Sequence, residues 1–230
     1  MDPETLLAEL RQVDAERARR AADAGLAERV QSLKAYQQRR FAKTYADLLV
    51  STRYAAATRF FLQELYGPGD YRQRDAQFAR VVPALTRLFP AEVVGTVAKL
   101  AQLHALSERL DTRMAELLAS PTLSAEVYAA AWRACGEPAS RQQQITLTLA
   151  IGTSLDRLTR KPLLRQSLRL MRGPAQVAGL GALQAFLESG FDTFRAMHGA
   201  SEFLATVGER EEALAQALFL GEVGALGQLP

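Results

Sequence analysis

The stretch PAEVVGTVAKLAQLHALSERLDTRMAELLASP, Pro90 to Pro121, decides the fold. Two prolines bracket a run of strong helix formers, and nothing in it alternates apolar and polar residues as a strand would. Pro90 suits the first position of a helix that reaches about Leu118, and Pro121 breaks it. Val97, His104, Asp111 and Leu118 form a seven-residue row that begins and ends apolar. His104, Ser107, Glu108 and Asp111 fall at i, i+3, i+4 and i+7, so they share one face. A polar strip therefore lies in line with the core stripe of the longest helix.

The same helical grain runs outward in both directions. Of the 230 residues, 48% are hydrophobic and 23% charged, which suits a chain that buries a core and excludes wholesale disorder. β-branched residues are sparse and Asn is absent. The formal net charge is +3, but Arg and Lys are scattered and accompanied by Asp or Glu, which argues against a nucleic-acid-binding face. Cys135 stands alone, so no intrachain disulfide forms, as suits a reducing compartment. MDPETLLAELRQ lacks the basic start and apolar core of a secretory signal. No segment approaches the ~20 apolar residues of a spanning helix. A cytoplasmic protein with no membrane partner is expected.

The expected fold class is all-α: a single helical-bundle domain of about eight helices with an N-terminal helical pair. Residues 1–50 form that pair, from about Glu4 to Asp23 and Leu26 to Val50, as a helical arm or hairpin. The arm packs on the body or makes a homodimer, and removing it should leave a folded monomer if it is a dimerising element. Residues 51–222 form the body, and residues 223–230 a flexible tail. In the body, helices are predicted from about Tyr54 to Tyr66, after Asp70, after Pro90, Ser124 to Cys135, Ser140 to Leu158, Pro162 to Met171, Pro174 to His198 and Ser201 to Leu220.

At the junction LYGPGDYRQRD, Asp70 and Gln73 have the form of a capping box, repeated by Ser140 and Gln143. The stripe of the following helix is Phe78, Val81, Val82, Leu85, Leu88 and Phe89. Stepping back along it gives Asp75, Arg74 and Tyr71, all facing the core. Charged groups there need partners, or face a cavity that holds water or a ligand. In PAQVAGLGALQAFLESGFDTFRAMH, Glu188 and Arg195 share a row with Phe191 and offer charges opposite to Arg74 and Asp75. The candidate ligand-binding residues are therefore Arg74, Asp75, His104, Glu188 and Arg195, with Tyr66 and Tyr71 nearby. Arg172 caps the preceding helix or holds an anion.

These residues suit a ligand-binding or protein-interaction module with a buried polar cluster and no chemistry of its own. The first alternative is a helical enzyme, with His104 beside Glu108 or Asp111, or the Arg74 and Asp75 cluster, moving protons. No nucleophile elbow, P-loop, dinucleotide fingerprint or zinc signature accompanies them. The second is a haem or metal site through His104, although no Glu-x-x-His pair is present. No cofactor is predicted.

The stretch RYAAATRFFLQELYGPGDYRQRDAQFARVVPALTRLFP, with LAQLHALSERLD and MRGPAQVAGLGALQAFLESGF, resembles an uncharacterised family of bacterial helical proteins. The resemblance spans about Arg53 to Arg210 and leaves out the N-terminal arm. It implies a bacterial, all-α protein. It brings no activity, so no catalytic residue carries over.

Overall fold

The computed structural model describes residues 3–65, 69, 71–222 and 229–230. Its long central helix is α6, Ala91–Glu116, with Pro90 as the residue before the first turn. Ahead of it come α1 (Pro3–Ala21), α2 (Ala24–Thr44), α3 (Ala46–Val50), α4 (Ala55–Phe60), a π-helical turn at Phe61–Leu65, and α5 (Arg72–Leu88). After it come α7 (Ala125–Cys135), α8 (Pro138–Thr159), α9 (Pro162–Leu170), α10 (Arg172–Val177), α11 (Gly181–Ala196) and α12 (Ser201–Leu220). Every element among the described residues is helical.

α6 packs against α1, α2, α7 and α8, and α8 in turn carries α11 and α12. One buried cluster joins α2, α6, α7 and α12 around Tyr36 and Tyr128, whose rings stack at 4.7 Å. A second gathers Phe41, Tyr45, Phe61, Phe194 and Phe203 between α2, the π turn, α11 and α12. A third seats Leu6 and Leu10 of α1 against Val82 of α5 and Ala98 and Ala101 of α6. The N-terminal pair is thus a wall of the core. Leu229 is buried in the first cluster, and its carbonyl accepts from Lys43 Nζ at 2.5 Å.

The described residues form twelve α-helices, where a pair and about eight body helices were expected, because two predicted helices break, one in the pair and one in the body. The helix expected from Leu26 to Val50 ends at Thr44, where the fully buried Tyr45 leaves helical geometry (φ −114°, ψ 27°) and α3 starts afresh. The helix expected from Pro174 to His198 ends at Val177. Gly179 adopts φ +69°, and the Leu180 amide reaches back to the Ala175 carbonyl at 2.7 Å. That is a Schellman-type end, which needs a left-handed residue and favours glycine. α5 satisfies the groups the break frees: Arg80 Nη2 donates to Ala178 O at 2.9 Å, and buried Gln77 Oε1 accepts from the Leu183 amide at 2.9 Å.

Two smaller expectations also fail. Ser140 does not open α8, which starts at Pro138 after Glu137; the Ser140 hydroxyl donates to that carboxylate at 2.8 Å. Leu88 and Phe89 extend the α5 stripe in sequence but are exposed, because α5 runs past its neighbours. Asp70, the other proposed cap, lies outside the described residues.

Candidate functional site

α1 continues its apolar row straight into charge: Leu6, Leu10 and Val13 are followed at the same spacing by Arg17 and Arg20. α2 does likewise, with Lys34 and Gln37 one turn beyond Val30 and Leu33. Arg20, Lys34 and Gln37 lie over the polar strip of α6, and Arg17 reaches α5. Arg20 Nη2 reaches Glu108 Oε2 at 2.5 Å, and Lys34 Nζ reaches Glu108 Oε1 at 2.6 Å. Asp111 accepts from Gln37 Nε2 at 3.0 Å, with Lys34 at 4.0 Å. From α5, Asp75 Oδ2 takes both Arg17 Nη2 at 2.5 Å and His104 Nε2 at 2.8 Å, while Arg74 Nε lies 3.5 Å from Oδ1.

The electrostatics follow from these contacts. Burial pushes the Asp75 carboxyl up, but the His104 and Arg17 hydrogen bonds and the Arg74 charge outweigh it and hold the group at about 2. Glu108 is likewise opposed by burial and held at about 2 by Lys34 and Arg20. Asp111 goes the other way: burial and the neighbouring Glu108 raise it against the pull of Lys34. Two carboxylates are therefore clamped in the charged form, and a third is strained toward protonation.

Arg74 leads outward from this network to a groove. Its guanidinium sits 4.3 Å from the Tyr71 ring centroid and 4.5 Å from that of Phe186, layered between the two. Phe186 stacks in turn on Phe60 at 5.6 Å. Arg74 Nη1 donates to the Glu64 carbonyl at 3.0 Å, and the Tyr71 hydroxyl to the Gln63 carbonyl at 2.7 Å. Both acceptors belong to the π turn, whose widened backbone leaves carbonyls free for side chains. The groove between this turn, the start of α5 and α11 encloses about 300 Å³ and is lined by Glu64, Tyr71, Arg74, Phe186 and Ser189 among others.

Of the residues proposed from sequence, the structure brings Arg74, Asp75, His104 and Tyr71 together. It does not bring Glu188 or Arg195 to them. Arg172 grips Glu188 with Nε at 2.7 Å from each carboxylate oxygen, and Gln184 adds a bond at 2.7 Å. Arg195 is exposed. Once α10 and α11 separate at Gly179, the row carrying Glu188 and Arg195 turns toward α9 and solvent. Arg172 is thus an ion-pair partner of α11. Tyr66 lies outside the described residues. The cations from α1 and α2 were missed in sequence, although the regular extension of their apolar rows marks them. Phe186 and Glu64 carried no such mark, because the π turn places Glu64 and the packing of α11 on α4 and α5 places Phe186.

Among the described residues, no group of three or more His, Cys, Asp or Glu is placed to hold a metal ion. His104 Nε2 is already engaged by Asp75, so an iron or zinc ion at that nitrogen would have to displace the carboxylate. No helix among those described is long and apolar enough to cross a membrane.

An all-helical body with a cation-clamped row of carboxylates along its longest helix, and an aromatic-layered arginine at the mouth of a groove, defines the class of protein. The chain belongs to a family known by its domain of unknown function, DUF8198, whose model matches residues 16–224. The match takes in α2 and the Arg17 and Arg20 end of α1, which the resemblance noted from sequence left out. No curated protein and no solved structure matches the chain.

Proposed function

We propose that this protein binds a small organic ligand in the groove between the π turn, α5 and α11, and performs no chemistry on it. The carrying observation is the layered Arg74 between Tyr71 and Phe186 at the edge of a cleft of about 300 Å³. That volume sits at the small end of ligand pockets, which run roughly 300–1,000 Å³. Aromatic faces, a fixed guanidinium, the Glu64 carboxylate and the Ser189 hydroxyl suit a flat ligand carrying polar groups. The buried network behind Arg74 fixes its position, since Asp75 is itself held by α1 and α6. Acid–base catalysis is the weaker reading, because Arg17 and His104 share one oxygen of Asp75 and keep that carboxylate charged.

Native mass spectrometry on gently purified protein, beside its denatured mass, tests the reading. Extra mass on the native form that disappears in Ala185→Trp, a groove-filling change at an exposed position, supports it. A native mass equal to the chain mass, together with identical thermal shifts of wild type and Ala185→Trp across a metabolite library, overturns it.

A further inference from the structure

α9 is amphipathic, with Leu164, Arg165 and Leu168 half-buried along one side and Leu163 and Leu170 exposed along another, yet it fully buries no residue. Leu163 is 72% exposed, Leu170 78% and Met171 47%. A helix of nine residues is marginal in water on its own and normally draws its stability from a packed apolar face. The half-buried side faces the body, where Arg165 pairs with Asp192 of α11, while Arg172 of α10 pairs with Glu188 of α11. Leu163 and Leu170, seven residues apart, stand on the other side with nothing against them.

The charge around this ridge has one sign. No acidic residue lies between Asp156 and Glu188 in sequence, while Arg157, Arg160, Lys161, Arg165, Arg169 and Arg172 all do. Acids do pair with these cations, most of them from underneath, with Asp192, more exposed than its partner Arg165, as the exception. The Asp156 side chain is 12% exposed and its partner Arg160 65%; Glu188 is 15% exposed and its partner Arg172 58%. Lys161, 52% exposed, covers the 31% exposed Glu92. The outermost layer is therefore mostly cationic, and exposed pairs of this kind are weak enough to exchange partners.

We propose that α9 docks an acidic amphipathic helix of a partner protein, which sets apolar residues on Leu163, Leu170 and Met171 and carboxylates against the exposed Arg160 and Arg169. Two leucines spaced by two turns match the ridge spacing of helix–helix packing. A second copy of this chain would bring the same cations together and repel itself. An anionic lipid surface shares the charge sign, but interfacial helices usually bring aromatic residues to the boundary, and none occurs between Pro162 and Ala185. The inference is independent of the groove, which lies across α11.

The test uses the full chain and two labelled amphipathic peptides with the same leucine face, one flanked by Glu and one by Lys, read by fluorescence anisotropy. The Glu peptide should bind at least tenfold tighter than the Lys peptide, weaken with salt, and lose binding in the double variant Leu163→Asp, Leu170→Asp. Both changes are at exposed sites, and an unchanged circular dichroism spectrum confirms that the variant folds. Equal binding of the two peptides, or none, overturns the proposal. So does flotation of wild type alone with phosphatidylcholine–phosphatidylglycerol vesicles while neither peptide binds, which assigns the ridge to lipid. A concentration-dependent dimer in sedimentation that the double variant abolishes overturns it in favour of self-association.

Discussion

Arg20 of α1 and Glu108 of α6 meet at 2.5 Å with side chains 10% and 5% exposed, and they tie the N-terminus of the chain to the middle of its longest helix. Lys34 of α2 closes the other oxygen of the same carboxylate. A buried charge with two partners is secure only while both remain. The expected consequence is asymmetric. Glu108→Gln leaves buried Arg20 and half-buried Lys34 without their shared anion and should destabilise the protein by about 3–5 kcal/mol. Adding Arg20→Met and Lys34→Met should recover much of that loss. Denaturant midpoints of wild type, Glu108→Gln, the double variant Arg20→Met, Lys34→Met and the triple variant, arranged as a cycle, measure the coupling.

Acid should act through the same residues. Asp75 and Glu108 sit at about 2 when folded, below their ordinary values of 3.8 and 4.5. A depressed carboxylate contributes stability that is fully present above its unfolded value and is lost as pH falls through the folded one. Asp111 has the opposite sign. Its raised value means that its charge costs stability at neutral pH, and the cost is relieved as pH falls. Stability should therefore drop between about pH 4.5 and 2, the ranges of the two clamped groups. Urea midpoints across that range should fall less steeply in Glu108→Gln and more steeply in Asp111→Asn. An unchanged profile in both variants would remove the network from the acid response.

Removing residues 1–50 should not release a folded monomer, as a separable arm would allow. Leu6, Leu10, Leu33, Tyr36 and Phe41 leave with that segment, each nearly or fully buried, along with every cation that neutralises Glu108. At ~1.5–3 kcal/mol for each large apolar side chain, the loss is about as large as the whole ~5–15 kcal/mol of a typical domain. The truncated chain should show no cooperative thermal transition and a collapsed near-ultraviolet spectrum. A sharp transition would mean that the body folds without its wall.

The all-helical class was legible because helix formers and proline punctuation agree along the chain, and α7, α9 and α12 fall close to their expected bounds. The junction residues Tyr71, Arg74 and Asp75 were legible because helical spacing alone turned them inward. Where the reading failed, tertiary contacts decided. Gly179 fell inside the one helix predicted from Pro174 to His198, yet Arg80 and Gln77 of α5 serve the broken ends and make two helices from one. That break redirected Glu188 and Arg195. Leu88 and Phe89 fit the α5 stripe, but periodicity cannot show where the neighbouring helices stop.

Close approach between helices supplies a contrast within one residue type. A Cβ added at Gly152 of α8 would come within 2.4 Å of Leu204 Cδ2 of α12, so the two helices touch through the space a side chain would take. Gly95 of α6 has nothing within 4 Å of the same position and a helical backbone. Gly152→Ala should therefore force Leu204 from its place and cost about 1–3 kcal/mol, as overpacking does. Gly95→Ala should stabilise by about 0.5–1 kcal/mol, because alanine loses less backbone freedom on entering a helix. Thermal melts of the two single variants should move in opposite directions. If Leu204→Ala on the Gly152→Ala background restores the packing, the combined loss will be smaller than the sum of the single losses, which places the clash at that contact. Strict additivity would mean that α8 and α12 separate to admit the methyl group, and that the crossing is looser than the measured approach implies.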